Sequence, residues 1–177
     1  MAIRIGPTAR NTLAVWGGVC LLAVVGLGLV VAYSVTFGAR SRDDRATARD
    51  VRFVLNWVQL GGDRIETVVR SHESAVHFTG DHFTAYAIRV RTLSEVELAS
   101  NARWVRGDRA DTLMDEAIRF VTEAGHEAPW LPTAEEFLSD NYYVWRWRVE
   151  VMDGVSAATL IFARPSDKMI FYASLQV

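Results

Sequence analysis

The sequence predicts an α+β domain behind one N-terminal transmembrane helix. Three observations carry this. Leu13–Phe37 is a run of 25 residues without Asp, Glu, Lys, Arg or His. Residues 111–124 repeat apolar side chains at helical spacing, and the last third alternates apolar and polar residues between turn signals. The 177 residues divide into an N-terminal tail (1–12), the membrane helix (13–37) and an extramembrane domain (38–177). That length suits one ordinary domain plus an extra segment.

As a helix, the apolar run is ~37 Å long at ~1.5 Å per residue, against a hydrocarbon core of ~30 Å. Trp16 and Tyr33 lie near its ends, where amphipathic rings favour the interface. A cleaved signal peptide is the rival reading. Arg4 and Arg10 would be its n-region and Val30-Val31-Ala32 its cleavage site. The run exceeds the ~7–15 residues of such an h-region, so a retained anchor is expected. Arg40, Arg42, Arg45, Arg49 and Arg52 outnumber Arg4 and Arg10, and this count puts the domain on the cytoplasmic side of the membrane. A short tail before a long exported domain is the competing layout. Lys168 is the only lysine among 19 basic residues, a bias typical of GC-rich bacterial coding, so the expected location is a bacterial inner membrane.

Ala14, Gly18 and Gly26 fall near one face of the anchor, and Gly28 and Ala32 form a second small pair. Small residues let helix backbones approach closely in lipid, so these five are candidates for packing against a partner helix. The run offers no imidazole to a haem or chlorophyll, and no cofactor is expected.

Within the domain, Asp43–Leu60 reads as a helix. Val51, Val54, Leu55 and Val58 form one stripe, Phe53, Trp57 and Leu60 a second, and Gly61-Gly62-Asp63 the stop. Two apolar stripes need two packing surfaces. Arg64–Arg70 is ambiguous between strand and helix. Ala75–Phe78 and His82–Arg91 read as strands around a Thr79-Gly80-Asp81 turn, with Arg89 and Arg91 sharing a face. Ser94–Glu97 has the capping-box pattern of a short helix. Arg106-Gly107-Asp108 is a turn. Asp111–Ala124 is a helix with Met114, Ala117, Ile118 and Val121 inward and Gly125 as its left-handed terminator. Pro129 and Pro132 bound a loop, and Thr133–Glu136 is a second capping box. Tyr142–Met152 alternates Trp145, Trp147, Val149 and Val151 against Arg146, Arg148 and Glu150. Asp153-Gly154 and Pro165-Ser166-Asp167 turn the chain into strands Ala157–Ala163 and Met169–Val177, a three-stranded meander. Helices are expected on one face of this mainly antiparallel sheet.

The chemistry-bearing residues are sparse. Cys20, the only cysteine, lies in the apolar run, so no intrachain disulfide and no cysteine zinc site are expected. No serine sits in a Gly-x-Ser-x-Gly turn and no phosphate loop is present. His72, His77 and His82 recur every five residues, a spacing that scatters them on one strand or one helix, so surface or turn positions are expected. Asp43-Asp44 and Glu135-Glu136 have structural explanations at helix starts. The net charge of −2 excludes a broad basic field for nucleic acid.

Arginine and tryptophan remain. Arg89 and Arg91 on one strand, and Arg146 and Arg148 on another, would form a four-guanidinium face if those strands were neighbours. Planar guanidinium forks suit carboxylate or phosphate. Trp57 and Trp130 add interface candidates, since Trp and Arg dominate binding hot spots. The expected function is therefore a non-catalytic, single-pass accessory subunit of a larger bacterial membrane complex. Respiratory and photosynthetic assemblies are the candidate kinds. Its partners would be integral and extrinsic subunits and the lipid bilayer. The alternative is a membrane-tethered ligand-binding or sensor domain.

Overall fold

The computed structural model describes residue 16 and residues 19–29, 41–75 and 81–177. Two compact units divide the chain, residues 1–40 and 41–177. In the first, residues 19–29 are helical with exposed side chains. Apart from Trp16, the remainder of the expected span lies outside the described residues, as do the flanking tail, Ala14, Gly18 and Ala32. Among the described residues no helix is long and apolar enough to cross a membrane.

The second unit is an α+β domain built on one antiparallel sheet. Its strands are β1 (Arg42–Asp43), β2 (Ile65–Glu73), β3 (His82–Val90), β4 (Trp104–Arg106), β5 (Tyr143–Val151), β6 (Val155–Arg164) and β7 (Met169–Gln176). Their spatial order is β1-β2-β3-β7-β6-β5-β4. The meander β5-β6-β7 stands as expected. Gly154 (φ 139°) turns its first hairpin and Lys168 (φ 58°) its second. The described strand before β3 is Ile65–Glu73, and of the expected strand Ala75–Phe78 only Ala75 is among the described residues. Ala75 is outside any strand, and 76–80, with His77 and most of the expected turn, lie outside the described residues.

Helices cover both faces, not one. On one side α3 (Thr112–Glu123) and α4 (Ala134–Phe137) bury Met114, Ala117, Ile118, Val121 and Phe137 against Phe83, Val144, Leu160, Phe162 and Phe171. On the other, α1 (Arg52–Trp57) and α2 (Glu95–Ser100) set Val51, Val54, Leu55 and Leu98 against Tyr86, Ile88, Trp145, Ile161 and Tyr172. Adjacent residues of the central strands therefore enter different cores, and Ala157–Ala163 is apolar almost throughout because neither face meets water.

The helix expected over Asp43–Leu60 is confined to Arg52–Trp57. Ser71 Oγ accepts the amides of Arg45 and Ala46, and Asp50 accepts the amide and hydroxyl of Thr47. These bonds hold 45–50 in turns, leaving Arg42–Asp43 to pair with β2. The helix also ends early. Gln59 takes the left-handed conformation (φ 61°), its amide bonds to Asn56 O, and the Leu60 amide bonds to Leu55 O. This is a Schellman ending two residues ahead of Gly61. Both stripes are used within the domain: Val51, Val54, Leu55, Val58 and Leu60 are buried, while Phe53 and Trp57 pack on sheet aromatics.

Two other local expectations change. Ser94 makes no side-chain cap; Glu97 instead pairs with Arg64 and Glu95 accepts the Tyr143 hydroxyl. Gly125 is not left-handed, because the chain continues from α3 into a 3-10 turn over Ala124–His126. The Thr133–Glu136 capping box forms in full, as does the Asp111 cap on the Met114 amide.

Candidate partner-binding cleft

Helix α3 packs over β6 and β7, and its face of the sheet extends beyond it to β3 and β2. The loop after α3 crosses that uncovered part. A turn closed by the Leu131 amide on Ala128 O, followed by the capped start of α4, fixes its path. Trp130 is left half-buried at the rim. Between loop and strands lies an open cleft of about 550 Å³, whose lining includes Arg70, Arg89, Trp130, Pro132, Arg164 and Phe171.

Its arginines differ in what they already hold. Arg70 pairs with Asp44 at 2.7 Å. Arg164 pairs with Asp167, donates to the Tyr142 hydroxyl and lies over the Tyr142 and Phe171 rings. Burial pushes the Tyr142 phenol above its ordinary range, with Arg164 opposing. Arg89 is exposed and makes no ion pair among the described residues. The cleft thus joins a guanidinium open to a new partner with an indole and two proline edges. Glu136 and Asp167 also line it.

Arg89 and Trp130 are the sequence candidates that the fold brings together. Arg91 is exposed just beyond β3, its amide bonded to Arg64 O. The four-arginine face does not form, for two reasons. Strands β7 and β6 separate β3 from β5. A bulge at Trp147 also shifts the register, so Arg146 opposes Leu160 while Arg148 opposes Thr159. One extra residue reverses which face follows, so Arg146 and Arg148 lie on opposite faces. Arg146 reaches Asp111 at 3.4 Å, and Arg148 pairs with Glu150. Trp57 stacks on Trp147 with ring centroids 4.5 Å apart, so much of its surface is covered inside the domain. A β-carbon added at Gly26 or Gly28 would meet, among the described residues, nothing within 4 Å outside its own stretch of helix.

The histidine expectation needs correction at His72, which is buried with 4% exposure. Its Nδ1 lies 2.6 Å from Asp43 Oδ1 and its Nε2 3.2 Å from Glu127 Oε2. The partners stand 29 and 55 residues away, too far for any local pattern to reveal them. Both ring nitrogens are thus taken up by contacts with carboxylates inside the domain. Among the described residues no group of three His, Cys, Asp or Glu side chains is placed to hold a metal ion.

The chain matches no family model, no curated protein and no solved structure. Its own geometry is therefore the ground for function.

Proposed function

We propose that the chain is a non-catalytic, single-pass accessory subunit of a bacterial membrane complex. Leu13–Phe37 would anchor it, with the small residues of that run packed on other transmembrane helices. The α+β domain would dock an acidic segment of a neighbouring subunit in the cleft of Arg89 and Trp130. The observation that carries this reading is Arg89, a guanidinium that makes no ion pair among the described residues and lines the same open cleft as Trp130. An Arg and an aromatic ring lining one cleft make a typical interface hot spot. A carboxylate partner would use the planar donor fork that Arg89 presents.

The volume of the cleft also favours a second reading, capture of a small anionic ligand by a tethered domain, since ligand sites span ~300–1,000 Å³. Native mass spectrometry after extraction in mild detergent separates the two. The accessory role expects a stable set of membrane subunits with the wild-type chain and their loss with Arg89→Glu and Trp130→Ala, while thermal stability is unchanged. A lone monomer or homodimer would overturn it and favour the tethered ligand-binding domain.

A further inference from the structure

Strand polarity sorts the domain into two ends. Glu73, His82, Gln176, Val155 and Val151 close five strands at one end, and the backbone of Arg42 stands opposite Glu73 in the β1–β2 ladder there. Two features share that end. The first is the tip of the β5–β6 hairpin, where Val151 is 56% and Met152 84% exposed. The second is the segment leading into the domain. Its acids are all engaged: Asp43 with His72, Asp44 with Arg70, Asp50 with Thr47. Arg42 and Arg45 make no ion pair among the described residues. They line a cleft of about 390 Å³ with Asp50, Ser71, Glu73 and Tyr86, in which Glu73 accepts the Tyr86 hydroxyl.

We infer that this end of the domain is a lipid-facing surface, with Arg42 and Arg45 holding phosphates of anionic headgroups and Val151 and Met152 entering the interfacial layer. The inference rests on the anchor reading given above. Five residue steps separate Phe37, the last residue of the apolar run, from Arg42. They reach at most ~18 Å when fully extended. Under that reading the tether lets Arg42 and Arg45 reach the bilayer surface. β1 and β6 are four strand spacings apart in the sheet, or ~19 Å at ~4.8 Å each, which gives two separated points of contact. Arginine near an anionic surface gains electrostatic attraction, and exposed Val and Met gain by leaving water. Asp153 at the hairpin tip opposes the attraction, while the Arg148–Glu150 pair beside it is neutral.

The test uses the full chain in phosphatidylcholine vesicles with and without phosphatidylglycerol. In a Cys20→Ser background, Met152→Cys carries an environment-sensitive fluorophore. Val96→Cys is the control, since Val96 is 78% exposed on α2, which follows the opposite end of β3. The expected result is a blue shift at 152 with several-fold quenching by shallow spin-labelled lipid, and neither effect at 96. Arg42→Glu with Arg45→Glu should remove the dependence on phosphatidylglycerol. An alkaline carbonate wash separates the two failures. Retention in the vesicles with an aqueous label at 152 would overturn this inference alone, whereas release by carbonate would overturn the anchor reading and the inference with it.

Discussion

His72 Nδ1 lies 2.6 Å from Asp43 Oδ1, fastening a two-residue edge strand to β2 beside its backbone ladder. The same imidazole reaches Glu127 beyond α3, so one buried ring ties the start of the domain to the far helix. His72→Ala should lower unfolding stability by about 2–3 kcal/mol, the scale of hydrogen bonds to charged groups. Most of the carboxylate cost is relieved by water, because Asp43 is 67% and Glu127 36% exposed at the side chain. β1 should open first, so trypsin should cut after Arg42 and Arg45 faster than in the wild type. Unchanged cleavage there would show that backbone pairing alone holds the edge.

Tyr86 sets an alkaline limit. Burial pushes its phenol far above the ordinary range, and the hydrogen bond it donates to Glu73 adds to the rise. A folded-state pKa above the unfolded value of ~10 favours the native state at every pH below ~10. That contribution is lost as pH rises from ~10 through the folded pKa, because unfolding then releases the proton. Stability in urea should therefore fall above pH ~10, and less steeply in Tyr86→Phe, which has no proton to release there. Equal slopes would mean that the decline comes from other phenols, such as Tyr172, also raised by burial.

Gly107 is required by close approach rather than by backbone angle. A β-carbon there would meet Phe137 O at 2.1 Å and Ser139 O at 2.5 Å, both main-chain atoms. The end of α4 would have to move away from β4. Gly107→Ala should cost about 3 kcal/mol, the upper range for overpacking. The denaturation midpoint should drop with an unchanged slope; a loss below about 0.5 kcal/mol, the level of an ordinary surface substitution, would show that α4 yields freely.

Much of this architecture is legible in the residues. The cap of Asp111, the box of Thr133 and Glu136, and the turn at Asp153-Gly154 are local, and local hydrogen bonding makes each of them. The failures are non-local. The helix start at 43–51 yields to Ser71, a residue more than twenty positions on, whose hydroxyl captures two amides. The run Ala157–Ala163, apolar but for Thr159, carries the signal of two-sided burial, but a strand counted only by alternation conceals it. Arg89 and Trp130 were recognisable by residue type alone. Their meeting depends on the loop after α3 crossing back over the sheet, which no spacing encodes.

The bulge at Trp147 is the sharpest of these non-local effects, because alternation through Tyr142–Met152 gives no sign of an extra residue. The bulged residue itself, Trp147, stacks parallel on Trp57, 1° from coplanar, and joins α1 to the edge of the sheet. Phe53 continues the layer onto Trp57 and Tyr172. Trp147 keeps 43% exposure, so its own burial is incomplete and the stack is what chiefly offsets its ordering. A double-mutant cycle with Trp57→Ala and Trp147→Ala should yield a coupling of about 0.5–1.5 kcal/mol, the range for aromatic pairs beyond area burial. Trp57→Ala alone should cost more than Trp147→Ala, because Trp57 also supports Phe53 and Tyr172. Additive losses in the cycle would mean that the rings merely share a surface, and that the bulge positions Trp147 for contact outside the domain.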